Sequence, residues 1–282
     1  MPLSRRAFKD LRDLRLKKHR RAQGRCLIEG ARLVSEALRS PAEVEQVLVT
    51  ARFARSDGWA AIEADGRSRE LKVDTLTETW ARQLADTRHP QGIFAVVRLP
   101  SEPAPPSAGF QPPILILDDI TDPGNLGTLL RTADWFGVPT VWVSKESADI
   151  YNPKVLRGGM GAHFHIPSLW QGDLTAPAQQ IPAEDITLFG AALDGRPMDQ
   201  VKPSGEDWAL VVGSEARGLS PFWRGRLDEA VTIPGPGSPG LAGDGTSRLG
   251  LRPEGKAESL NAAVAGAIIL HYFLHPSDPA AD

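Results

Sequence analysis

The sequence predicts an α/β protein in which a mostly parallel sheet with helices on both faces follows a smaller α/β unit, and three observations carry that reading. Strongly apolar segments such as ILILDDI at 114–120 and DWALVVGSE at 207–215 alternate with helical patterns, as they do where a parallel sheet is covered on both sides. The stretch LPSEPAPPSAGFQPP at 99–113 is too rich in proline, serine and glycine to join a helix or a central strand, and marks a boundary. A length of 282 residues leaves room for two units of ordinary size.

The elements follow in order. Before the linker, GARLVSEALRS at 30–40 carries Ala31, Val34, Ala37 and Leu38 at helical spacing, while VEQVLVT and GIFAVVRL read as short strands. This is a unit of residues 1–98. After the linker, over 114–282, ILILDDI, TVWVSK, LFGAALDG, DWALVVGSE and EAVTIPG read as strands. Helices are expected from NLGTLLRTADWFG and from SLNAAVAGAIILHYFL. In such sheets ligands sit beyond the carboxyl ends of the strands.

Composition bounds the function. Apolar residues make up 41% and charged residues 24%, the balance of a globular chain. No apolar run approaches the ~18 residues of a bilayer span. The basic start MPLSRRAFKDLRDLRLKKHRR lacks the apolar stretch of a secretory signal, so it reads as mature protein without a membrane role. Cys26, the single cysteine, excludes an intramolecular disulfide and a Cys-rich zinc site; a reducing cytoplasm and no metal are expected. The net charge of −3 carries no signature of its own, yet residues 5–25 hold ten basic side chains against Asp10 and Asp13. That run suits phosphate contact and a solvated helical face equally.

The stretch TDPGNLGTLLRTADWFG at 121–137 holds the first candidate chemistry. Gly124 and Gly127 do not give the G-x-G-x-x-G of a dinucleotide site, and no P-loop Gly-Lys-Ser/Thr occurs in the chain, which leaves a nucleotide-dependent oxidoreductase poorly supported. The stretch offers instead Asn125 as a helix N-cap and Leu126, Leu129, Leu130 and Ala133 as a buried stripe. Gly127 and Arg131, four apart, fall on the other face; Arg131 is expected to lean over the space the glycine leaves, toward Asn125, where a guanidinium can receive an anion. LVVGSEARGLS at 210–220 adds Gly213, Ser214, Glu215 and Gly218 at the same sheet edge. SLNAAVAGAIIL at 259–270 opens a helix with Ser259 or Asn261 as cap and small residues suited to close packing within the chain or in a dimer.

Taken in order, NLGTLLR, GSEARGLS and IP…SLNAAVA resemble the three signatures of the SpoU (TrmH-type) branch of the SPOUT RNA methyltransferases, over about residues 114–275. The segment YNPKVLRGGMGAHFHIP resembles that family's intermediate segment, and CLIEGARLVSEAL with DTRHPQGIFAVV is similar to its N-terminal RNA-binding domain. The resemblance implies S-adenosylmethionine as methyl donor, a ribose 2′-hydroxyl of RNA as acceptor, a deep trefoil knot and a homodimer. Ribosomal RNA is the expected substrate; transfer RNA, or a non-catalytic RNA-binding or ribosome-assembly role on the same fold, are the alternatives. It further implies Asn125, Arg131, Glu215, Ser259 and Asn261 as catalytic-face residues, and Gly213, Ile233, Leu260 and Leu193 as donor-binding. A guanidinium stays protonated, so Arg131 is expected to fix a phosphate or stabilise developing alkoxide charge, with Glu215 orienting it, and no general base is identified. His89, His163 and His165 are read as structural.

Two features depart from the family pattern. Gly159 stands in GGMGA where a serine is usual, and 24 residues at 235–258, seven of them glycine, separate Ile-Pro from Ser-Leu-Asn where relatives use a handful. The insertion reads as a passive bulge, a lid or a lesion in donor binding.

Overall fold

The computed structural model describes residues 3–100, 110–181, 185–235 and 259–275. Beyond Gly235 the glycine-rich insertion lies outside the described residues, as does much of the linker.

Two sheets are formed. In the first unit α1 (Arg5–Asp13) and α2 (Lys17–Gln23) precede β1 (Arg25–Glu29), α3 (Ala31–Arg39), β2 (Val44–Thr50), α4 (Asp57–Ser68), β3 (Lys72–Leu76), α5 (Glu78–Leu84) and β4 (Ile93–Arg98). Their strand order is β1-β4-β2-β3, antiparallel on both sides of β4 and parallel between β2 and β3. The second unit contains β5 (Ile114–Leu117), α6 (Pro123–Trp135), β6 (Thr140–Ser144), α7 (Pro153–Gly159), β7 (Ser168–Gly172), α8 (Thr175–Ala178), β8 (Thr187–Pro197), β9 (Trp208–Val212), α9 (Pro221–Arg224), β10 (Glu229–Thr232) and α10 (Ala262–Leu274). Its six strands are all parallel, in the order β10-β8-β9-β5-β6-β7. The expected α/β class and parallel sheet are thus present.

Strand alternation divides the core of this sheet in two. Leu115, Leu117, Val141, Val143, Leu210 and Val212 face α6 and α10, while Ile114, Ile116, Trp142, Ala209 and Val211 face the opposite layer around Trp223. From β5 the chain crosses to β6 on one side; from β9 it crosses to β10 on the other. The carboxyl ends of β5 and β9 therefore flank a topological switch point, where such sheets hold their ligands.

Leu126, Leu129, Leu130 and Ala133 form the expected buried stripe of α6, each 0% exposed. Gly127 does not leave an open path. A Cβ placed there would lie 2.8 Å from the Val155 carbonyl oxygen and 2.9 Å from the Gly158 Cα, so α7 fills the space and the two helices touch backbone to backbone. Gly127→Ala is expected to cost roughly 1–3 kcal/mol through forced separation of the helices, against at most about 1 kcal/mol regained from alanine's helix preference. Thermal unfolding checks it: an unchanged or raised Tm would mean the contact is not tight. Gly266 of α10 is likewise pressed on Leu129 and Val212, which places the small-residue helix within the chain.

The units meet through charged contacts. Arg20, 3% exposed, pairs with Asp149 ahead of α7 and donates to the Leu14 and Arg15 carbonyls at 3.0 and 2.8 Å. Arg157 meets Asp86 at 2.6 Å, and His165 meets Glu36 at 3.2 Å. Within the first unit Arg15 donates to the Gln83 and Ala85 carbonyls. The basic run thus includes structural cations as well as a solvated face. His163 is buried with Nε2 2.8 Å from the Ile150 carbonyl, and burial drops its pKa to about 4, which keeps the ring neutral at physiological pH. At Gly159 a Cβ would come within 2.7 Å of His163 Cε1, so the glycine makes room for that ring. Burial pushes the Cys26 thiol up to about 12 and leaves it inert near neutrality.

Candidate active site

The site is assembled from three chain segments that end on one carboxylate. After β5 the chain enters α6 with Asp122 as N-cap, its Oδ1 accepting the Asn125 amide at 2.8 Å, and Pro123 in the first turn. Asn125 is therefore not the cap, and its side chain is left for another partner. The Asp-Pro pair was the sequence signal for this earlier start.

After β9 the chain doubles back. A Cβ on Gly213 would lie 2.5 Å from the carbonyl carbon of Gly218, and the Gly218 amide donates to the Ser214 carbonyl at 2.7 Å. Gly218 completes the turn at φ +66°, a region that favours glycine. Glu215 projects from this turn. Asn261 caps α10, its Oδ1 accepting the Ala263 and Val264 amides at 2.9 and 3.2 Å.

Glu215 Oε1 then accepts from Asn125 Nδ2 at 2.7 Å, from Asn261 Nδ2 at 2.7 Å and from the Ala262 amide at 3.2 Å. The second Asn261 Nδ2 hydrogen reaches Asn125 Oδ1 at 2.9 Å. One carboxylate oxygen is thus saturated and fixed, and among the described residues Oε2 receives no hydrogen bond. Such a group can accept a hydrogen bond, or a proton, at a defined point beside the switch.

Arg131 is not part of this network. Helix geometry puts it about 9 Å along α6 from Asn125 and about 120° round the axis. It is exposed and without a partner among the described residues, so it does not lean over Gly127 to Asn125. Glu215 does not orient it, since the Glu215 bonds go to the two asparagines and Ala262. Ser259 is exposed just ahead of the Asn261 cap.

Gly213, Leu193 and Ile233 belong to or follow the neighbouring strands β9, β8 and β10, and so share one end of the sheet, with Leu260 adjoining Asn261. Leu193 is 74% and Leu260 48% exposed, while Ile233 packs partly buried against the core. Two exposed leucines, a half-buried isoleucine and a bare glycine turn have the apolar and backbone character that an adenosine group requires. Among the described residues no cluster of His, Cys, Asp or Glu could hold a metal ion, and no helix is long and apolar enough to cross a membrane.

A two-domain α/β chain whose distant segments converge on one carboxylate at the switch point has a site where such sheets act on ligands, and the comparisons give its class, the RNA-modifying methyltransferases. The sequence profile of the SpoU rRNA Methylase family matches residues 112–239, and that of the MRM3-like substrate binding domain matches residues 6–95. The chain is 33% identical over 265 residues to the 23S rRNA (guanosine(2553)-2′-O)-methyltransferase RlmP of Bacillus subtilis, spanning 94% of both chains. It superposes on a structure described as a putative RNA methyltransferase of the TrmH family from Porphyromonas gingivalis with a TM-score of 0.75 at 31% identity, covering 96% of this chain and 97% of that one. The SpoU methyltransferase AviRb from Streptomyces viridochromogenes, solved in complex with AdoMet, shares the fold at 23% identity with a TM-score of 0.77, over 97% and 98% of the two chains. The chain belongs to the SpoU rRNA methylase family.

Proposed function

We propose that the protein transfers a methyl group from S-adenosylmethionine to the ribose 2′-hydroxyl of a guanosine in ribosomal RNA. The observation that carries this reading is the hydrogen-bonded triad of Asn125, Glu215 and Asn261, built from segments 46 to 136 residues apart. The guanosine and ribosomal preferences rest on the likeness to RlmP over nearly the whole chain.

Leu193, Gly213, Ile233 and Leu260 would hold the donor, which when bound supplies an electrophilic methyl on a sulfonium. Glu215 Oε2 would accept the hydrogen bond of the 2′-hydroxyl and take up its proton when that oxygen is methylated. The two asparagines and the Ala262 amide hold that carboxylate in one orientation, so little reorganisation accompanies reaction. Arg131, uncommitted among the described residues, holds a phosphate of the RNA, a role suited to a fixed cation. Exposed Trp135 on α6 and Val264 on α10, 83% and 47% accessible, support a homodimer packed through these two helices. The placement of α10 beside α6 and β9 supports the trefoil knot that the family resemblance implies. The cytoplasm is the compartment this reading implies.

The test is methyl incorporation into unmodified ribosomal RNA transcripts by the full chain, with donor binding followed by calorimetry. Arg131→Ala is expected to weaken RNA binding or turnover about 10-fold or more while donor affinity and Tm persist, and its salt dependence should drop by about one phosphate contact. Full activity in that variant would remove the assigned role. Neither donor binding nor methyl transfer in the wild type would leave a non-catalytic RNA-binding protein.

A further inference from the structure

On the other side of the Glu215 turn lies an open cleft of about 450 Å³ at the carboxyl ends of β5 and β6. Its walls are apolar, formed by Leu174 and Leu219, which are buried, with Phe222 and the buried Trp223. Arg226 covers the Phe222 ring, its guanidinium carbon 3.8 Å from the centroid. The polar groups are chiefly acidic: Asp118, Asp119, Glu146 and Asp173 face Lys145 and Arg217, four carboxylates against two cations. Arg217 pairs with Asp119 and Lys145 with Asp173, which leaves the cleft no free cation for a phosphate among the described residues.

Asp118 is the distinctive group. It is only 7% exposed, yet it lines the cleft. Its Oδ2 accepts the Ser220 amide at 2.9 Å, and Oδ1 receives no hydrogen bond among the described residues. The Ser220 bond fixes this carboxylate and leaves Oδ1 as an acceptor open to the cleft. The same turn that presents Glu215 to the asparagines presents Arg217 to this cleft. Two consecutive trans peptides limit the separation of the Cα atoms of Glu215 and Arg217 to about 7 Å.

We propose that this cleft receives the base of the nucleotide whose ribose is methylated, and that Asp118 Oδ1 accepts from the N1–H and N2–H₂ edge of guanine. Resting on the methyltransferase reading above, this adds a base-recognition site to it. The cleft is large enough for a single base, the acidic balance disfavours the RNA backbone, and the apolar walls of Leu174, Leu219 and Trp223 supply a surface for the base. Enzymes that act on an extruded base read it this way, through hydrogen bonds to the Watson–Crick edge and contacts to the flat faces, and the same contacts would fix a nucleotide whose ribose reacts. Adenine and uracil do not offer the paired amino and imino donors.

The experiment uses the full-length protein and short synthetic RNA hairpins carrying the mapped target guanosine, or inosine in its place, which lacks only the 2-amino group. Wild type should methylate guanosine with a kcat/KM at least 10-fold above inosine, as loss of one hydrogen bond to a charged group implies. In Asp118→Asn the amide oxygen can keep the Ser220 bond while an NH₂ group replaces the open acceptor. That variant should lose 10-fold or more on guanosine and no longer distinguish it from inosine, with Tm and donor affinity held. Equal rates for the two hairpins in the wild type, a measurement that needs no variant, would overturn the proposal. So would undiminished discrimination by Asp118→Asn, or a loss of donor affinity in it, which would give the cleft to the methyl donor. Absence of methyl transfer to any RNA would instead sink the methyltransferase reading, and the base site with it.

Discussion

Glu215→Gln is expected to lower the rate of methyl transfer by about two orders of magnitude, the scale of a lost acid–base group, while leaving Tm and donor affinity unchanged. The reasoning is atomic. The amide oxygen of glutamine can still accept from Asn125, Asn261 and the Ala262 amide, the three donors on Oε1. Only the open oxygen is exchanged for an NH₂ group that cannot take a proton. Glu215→Ala should show the same loss and also destabilise the chain, because two asparagine amides and the α10 N-terminus lose their acceptor. Single-turnover rates on a ribosomal RNA transcript, measured beside thermal melts, separate the two substitutions. A glutamine variant at wild-type rate would reduce Glu215 to a structural hub.

Arg20→Ala should be the costliest single change away from the site, at roughly 3–5 kcal/mol, since it leaves one partner of a buried ion pair uncompensated. The Asp149 side chain, 14% exposed, would lose its guanidinium partner, and the Leu14 and Arg15 carbonyls would lose their donor. In a chain of this size each kcal/mol lowers Tm by roughly 2–4 °C. The loss should extend to function, because Asp149 precedes α7, and α7 is seated by Gly158 against Gly127 of the helix that carries Asn125. A melt within 2 °C of wild type, a limit set below the roughly 6 °C that the low estimate implies, would show that the pair does not hold the units together. Arg20→Lys, which keeps the charge but not the fork of donors, should fall between the two.

Much of the architecture was legible in the pattern of residues. The apolar strands after residue 113 and the buried stripe Leu126, Leu129, Leu130 and Ala133 follow from local periodicity, and capping chemistry narrows the start of the last helix to Ser259 or Asn261, of which the structure uses Asn261. Other features escaped for identifiable reasons. Gly127 looked like space for Arg131 because helical spacing reports which residues share a face but not what packs on that face. Asn125 looked like a cap because its side chain suits one; Asp122 and Pro123 suit the helix start better and won. Arg20 lay in a run of ten basic residues and nothing in that run distinguished the one that would be buried.

The sequence alone determined the period and position of the elements, the helix start and stop signals and the glycines that permit tight turns, because these depend on side chains a few residues apart. Only the tertiary structure decided that Asn125, Glu215 and Asn261 share one oxygen, that Arg131 stands apart from them, and that Asp118 turns an open acceptor into a second cleft. Those relations depend on strand order. Parallel strands β9 and β5 become neighbours only after the chain has crossed the sheet, and the loops at their carboxyl ends are brought together by backbone pairing that no short stretch of sequence records.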